Sequence, residues 1–156
     1  YGGIVSSKIS VGQLIIERNA PDANGTACCA ERIEKTRYRW NGRSLTQIGA
    51  KVSREIYPPT RVNFKRGTTM SIFGIELLPR QFKRFVVRGR RGQSLLISSG
   101  VEPVDAVAYR LIRGEGDVDA GPNGIIVKFK QTGDLVFEIA SDTDTALNIS
   151  VTVEIR

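Results

Sequence analysis

Leu147-Asn148-Ile149-Ser150-Val151-Thr152-Val153-Glu154-Ile155, close to the end of the chain, alternates apolar and polar side chains without a break. A period of two places Leu147, Ile149, Val151, Val153 and Ile155 on one side of an extended backbone and the polar residues on the other. This is a strand with one face in a core and the other in water. Working back along the chain, strand signals recur at residues 134–140, 125–130, 106–112, 94–98, 82–88, 69–75 and 62–64. Gly92-Gln93-Ser94-Leu95 and Thr132-Gly133-Asp134-Leu135 each supply a turn and the start of the next strand. Eight short strands at this spacing specify an all-β fold, an eight-stranded β-sandwich or jelly roll over residues 61–156.

The first third reads as a small N-terminal β-meander over residues 1–55, with paired runs at 4–10 and 14–18 and at 32–40 and 44–48. In the third run Ile33, Lys35, Arg37 and Arg39 alternate with Glu34, Thr36, Tyr38 and Trp40, a pattern that lets the aromatic end of one face be buried. Asn41-Gly42 suits the positive φ angles of a type I′ turn, so the strand ending at Trp40 is expected to return directly from Arg43. Only residues 45–55 have any helical character. Residues 56–60, containing Tyr57-Pro58-Pro59-Thr60, form a Pro-rich linker hostile to helix.

The hydrophobic share of 40% supports a packed core rather than disorder. Lys and Arg outnumber Asp and Glu by 23 to 16, so the surface attracts anions. No window reaches the roughly 20 apolar residues of a membrane helix. The chain opens at Tyr1 rather than Met, which reads as a processed protein or a fragment. The sequence contains no histidine, which removes the commonest general base and transition-metal ligand. With no Gly-x-Ser-x-Gly elbow either, the expectation is a protein that is not an enzyme.

Phe64-Lys65-Arg66-Gly67-Thr68-Thr69, Phe85-Val86-Val87-Arg88 followed by Gly92-Gln93-Ser94-Leu95, and Thr132-Gly133-Asp134-Leu135-Val136 together resemble the bacterial pre-peptidase C-terminal (PPC) type of β-sandwich. The likeness covers roughly the last three-fifths of the chain and departs from the pattern where Phe85 and Leu135 stand in place of tyrosines. The stretch from Ile9 to Ile16, the pair Cys28-Cys29 and Tyr38-Arg39-Trp40-Asn41-Gly42 are similar to the tail of a bacterial envelope-protein domain with a Cys-Cys-Pro signature, with Ala30 replacing the proline. Both resemblances imply an extracytoplasmic protein: secreted, periplasmic or at the cell surface.

Three candidate features follow from the residues. Arg84, Arg88, Arg90 and Arg91 lie in the densest basic run; Arg84 and Arg88 share a face of one strand and form a basic ligand-binding surface for the acidic groups of an envelope polysaccharide. Nucleic acid is disfavoured, because no aromatic platform accompanies the charges. Asp117 and Asp119, in the long glycine-bearing loop 114–124, offer hard oxygen donors to calcium, the one cofactor for which any site is suggested; their spacing is not that of an EF-hand. Cys28 and Cys29 are neighbours whose α-carbons lie about 3.8 Å apart, below the usual disulfide range, so a vicinal disulfide between them would be strained.

The functional expectation is a non-catalytic, exported accessory module that binds an acidic polysaccharide or other envelope component through its basic face. Two alternatives remain open at this level. One is a structural subunit that joins neighbouring subunits by β-strand addition, using a run such as Ile4 to Arg18. The other is a periplasmic inhibitor of a lysozyme-type hydrolase, because some such inhibitors use sandwiches of similar plan.

Overall fold

The structure, a computed structural model, describes residues 3–20, 32–100, 103–121 and 123–156. Cys28 and Cys29 therefore lie outside the described residues. Among those described there are fourteen strands and one short 3₁₀ turn, Val104–Ala106. The chain divides into two compact units, the first ending at Pro58 and the second running from Pro59 to Arg156.

The first unit is one antiparallel sheet of β1 (Ile4–Ser10), β2 (Gln13–Ala20), β3 (Arg32–Trp40), β4 (Leu45–Gln47) and β5 (Val52–Glu55). β1, β2 and β3 lie side by side, and the far edge of β3 is shared by β4 at one end and β5 at the other. β4 falls within the strand expected at 44–48, and β5 is a second short strand where the sequence offered only some helical character. With three residues in β4 and four in β5, neither piece is long enough to repay helix nucleation.

The β3–β4 turn is also displaced from its expected place. Trp40 pairs with Leu45, so Gly42 and Arg43 are central, not Asn41 and Gly42. The cause is the Asn41 side chain, whose Oδ1 accepts hydrogen bonds from the backbone N–H groups of Arg43 (2.9 Å) and Ser44 (2.8 Å). Trp40 itself stays 59% exposed, so the aromatic end of this face is not buried as expected.

The second unit is a β-sandwich of nine strands, one more than the sequence suggests. One sheet has the order β10-β13-β8-β6, from β6 (Thr60–Arg61), β8 (Phe82–Gly89), β10 (Val107–Arg113) and β13 (Gly133–Ser141). The other has the order β11-β12-β9-β14-β7, from β7 (Met70–Leu77), β9 (Ser94–Ser99), β11 (Gly116–Gly121), β12 (Gly124–Phe129) and β14 (Leu147–Ile155). All pairings are antiparallel except β6 with β8. The additional strand is β11, which occupies much of the region expected to be an acidic loop. By register Gly116, Val118 and Ala120 share the side of Phe129, Val127 and Ile125, but Val118 stays 48% exposed and Ala120 exposed, too little apolar burial to announce a strand by hydrophobicity. Gly116 is needed there, because a Cβ would come within 2.4 Å of Val127 Cγ1.

Between the sheets the side chains interdigitate. The inward residues of β14 (Ile149, Val151, Val153) meet those of β8 and β13 (Phe85, Val87, Leu135, Phe137, Ile139) in one cluster. Phe85 links the layers: its ring centroid lies 5.1 Å from that of Phe73 on β7 and 5.5 Å from that of Phe137 on β13. The Phe129 ring sits so close over Gly89 that a Cβ there would approach its Cζ to 2.4 Å, and a glycine ends β8 for that reason.

Candidate functional site

β8 alternates between the core and the outer face of its sheet. Phe85 and Val87 point inward, and Arg84 and Arg88 point outward with Val86 between them. On that outer face β13 contributes Glu138 opposite Arg84 and Asp134 opposite Arg88. The two arginines have different fates. Arg84 is largely covered: its Nε donates to Glu138 Oε2 at 3.1 Å, with 13% and 8% of the two side chains exposed, and its guanidinium lies 5.1 Å from the Phe82 ring centre. An arginine held in this way supports the sheet and is withdrawn from ligands. Arg88 remains exposed.

Asp134 is held instead by Arg61 of β6, whose Nη2 donates to Oδ2 at 2.6 Å. That hydrogen bond, against partial desolvation and with added attraction from Arg61, Arg88 and Arg113, keeps the Asp134 carboxyl below the usual carboxylate range.

Beyond Gly89 the chain makes the turn that carries Arg90 and Arg91. Gly92 adopts φ +87°, a conformation that leaves the turn to glycine. Gln93 closes it from both ends: its Oε1 accepts from the Arg90 N–H at 2.7 Å, and its own N–H donates to the Arg90 carbonyl at 3.1 Å. The turn is fixed to the neighbouring β12–β13 turn by the Arg91 N–H, which donates to Thr132 Oγ1 at 3.1 Å. The Gly-Gln and Thr-Gly motifs of the sequence are therefore two halves of one rigid end of the sandwich. Both arginine side chains project from it exposed, and among the described residues Arg88, Arg90 and Arg91 make no ion pair. Three exposed cations thus lie within four positions of one another, two of them on a turn held by backbone hydrogen bonds.

The acidic pair is placed differently. Asp117 and Asp119 face outward from β11, an edge strand, and Asp117 Oδ1 is engaged by Lys130 Nζ at 2.6 Å. Asp119 borders a shallow recess with Leu96, Ser98, Asn123 and Ile126. Among the described residues no group of three or more His, Cys, Asp or Glu is placed to hold a metal ion. No described helix is long and apolar enough to cross a membrane.

The signal that sequence reasoning lacked was the partner of each arginine: alternation assigns a face, but only strand order reveals that Glu138 and Asp134 lie beside β8. The same applies to Arg80, whose Nη1 donates to Asp142 at 2.7 Å and whose Nη2 lies 3.1 Å from Asp144.

No protein-family model matches the sequence, and no curated protein matches it either. Solved structures do share the fold. A periplasmic inhibitor of g-type lysozyme from Aeromonas hydrophila superposes with a TM-score of 0.52 at 10% identity, over 63% of this chain and 96% of that one. The corresponding inhibitor from Salmonella Typhimurium gives 0.50 at 16% identity, over 63% of this chain and 97% of that one. At these identities the likeness is one of fold.

Proposed function

We propose that the chain is an exported, non-catalytic binding module whose sandwich inhibits a lysozyme-type cell-wall hydrolase, with the Arg90-Arg91 turn as the inserted element. The observation that carries this reading is the exposed, backbone-locked arginine turn on a sandwich that matches nearly the whole length of two lysozyme inhibitors. Glycoside hydrolases work with a pair of Asp or Glu carboxylates flanking the scissile bond. A rigid turn carrying two guanidiniums is the chemical complement of such a cleft, and the rigidity removes much of the ordering cost of binding. The absence of histidine fits a protein that blocks chemistry rather than performs it. The likeness to PPC-type accessory sandwiches supports the same extracytoplasmic setting.

The test is the turnover of g-type and c-type lysozymes on a peptidoglycan suspension, with this chain added at micromolar concentration. Saturable inhibition is expected, weakened at least about tenfold by Arg90→Glu with Arg91→Glu, since a reversed charge meets a carboxylate instead of pairing with it. Full turnover of both lysozymes in the presence of the wild-type chain overturns the reading.

A further inference from the structure

The sheet of the first unit has two unlike faces, and the registers identify them residue by residue. On one face a complete row crosses four strands as Ser10, Gln13, Arg39 and Thr46. The next row on that face is Lys8, Ile15 and Arg37, and the one after it contains Ser6, Glu17 and Lys35. Tyr38 and Trp40, with Arg18 and Glu34, belong to the opposite face. The first face therefore gathers Lys8, Lys35, Arg37 and Arg39, with Arg54 at its border opposite Ile33.

The acids are distributed unequally. Glu34, on the opposite face, lies 3.4 Å from Arg18 and 3.8 Å from Lys51. Glu17 is the single carboxylate of the basic face among the described residues, and it is engaged by Arg54 at 3.7 Å and by the Ser6 hydroxyl at 3.2 Å. Lys8, Arg37 and Arg39 are exposed and make no ion pair or side-chain hydrogen bond among the described residues. Alternate residues of a strand are roughly 6.7 Å apart and neighbouring strands about 4.8 Å apart. Arg37 and Arg39 thus fall within one Debye length of each other, and Lys8, two strands away at roughly 10–12 Å, adds to their potential at low salt. A face kept only for solubility mixes both signs, and like charges at neighbouring positions weaken a sheet.

We infer that this face of the N-terminal sheet is a docking surface for a linear acidic polysaccharide, lying across β1, β2 and β3. The arginines and Lys8 take its carboxylate or sulfate groups, and Ser10, Gln13 and Thr46 face its hydroxyls. The surroundings separate this ligand from other polyanions. Single-stranded nucleic acid needs aromatic rings on which bases stack, and both aromatics of β3 lie on the other face. An anionic membrane surface calls for several exposed apolar side chains that insert between headgroups, whereas on this face Ile33 is buried, Ile15 is half-buried and Val52, beside Lys35, is exposed at the edge. The inference concerns the first unit and is independent of the arginine turn of the second.

The experiment measures binding of the full chain to polygalacturonate and to heparin across a salt series. Single-stranded DNA and vesicles of anionic lipid serve as comparison probes. Wild-type binding to the polysaccharides that weakens steeply with salt is expected, with a loss of at least about tenfold in Lys8→Gln/Arg37→Gln/Arg39→Gln, whose fold is checked by circular dichroism. The variant Arg90→Glu/Arg91→Glu is expected to lose less polysaccharide binding than the glutamine variant does. The inference is overturned by no binding to either polysaccharide, by undiminished binding in the glutamine variant, by loss confined to the arginine-turn variant, or by binding to DNA or vesicles alone.

Discussion

Arg84 and Arg90 lie six positions apart in one basic run and do opposite work, which makes the run a test of what a single residue contributes. Arg84 is buried against Glu138, so removing one partner strands an unpaired charge under cover. Arg84→Ala is expected to cost roughly 3 kcal/mol of stability, and Arg84→Met with Glu138→Leu far less, because the apolar pair strands nothing. Arg90→Ala, on an exposed turn, should stay within about 0.5 kcal/mol. Urea denaturation of the variants separates the cases. A pH dependence belongs at this scale too. The Asp134 carboxyl is depressed chiefly by its hydrogen bond from Arg61, so its stabilisation is complete above the unfolded value near ~3.9 and is lost as pH falls through the folded one. Asp134→Asn should flatten the acid limb of the stability curve and leave its slope above neutral pH unchanged, as thermal unfolding from pH 2 to 8 would record. None of these pairings was legible from the sequence. Periodicity correctly placed Arg84 and Arg88 on one face, but the carboxylates that distinguish them arrive from a strand some 50 positions away.

At the scale of elements, legibility followed side-chain size. β14 shows its alternation openly because its inward residues are Ile and Val, and its expected and observed bounds coincide at Leu147–Ile155. β11 has Gly, Val and Ala on its core side with Val118 and Ala120 still exposed, and its Asp117 and Asp119 read as a loop with a calcium site. As an edge strand it has another use for those charges: unpaired strand edges invite pairing with other chains, and acidic side chains discourage it. Asp117→Val with Asp119→Val is therefore expected to raise self-association strongly, seen as concentration-dependent growth in light scattering, where the wild type stays dispersed. Millimolar calcium or a chelator should shift the wild-type Tm by less than about 1 °C, since a ligand stabilises only a fold that binds it. A larger shift would support the calcium reading of Asp117 and Asp119.

The two units differ in how they are stabilised, and this difference governs the behaviour of the whole molecule. The second encloses a continuous cluster running from Val62 to Val153 with Phe85 at its centre, whereas among the described residues of the first only Ala20 and Ile33 are buried apolar side chains. Every residue of β1 is exposed, with Ile9 at 79%. A sheet with so little apolar burial offsets little of the entropy lost in ordering it. Residues 59–156 expressed alone should therefore fold cooperatively, and Phe85→Ala within them should cost about 3–5 kcal/mol. In the full chain, hydrogen exchange is expected to be faster in Ile4–Ser10 than in Phe82–Gly89 and Gly133–Ser141 by at least about a hundredfold, because local opening of the first sheet exposes so much less buried surface. Equal protection in the two regions would show that the first sheet draws stability from more than its own core. The same division separates the two proposed activities. The fragment 59–156 should retain lysozyme inhibition, whose arginine turn it contains entire, while losing the polysaccharide binding assigned to Lys8, Arg37 and Arg39. If the fragment kept both, polymer binding would have to reside on the sandwich; if it lost both although folded, inhibition would require the first unit.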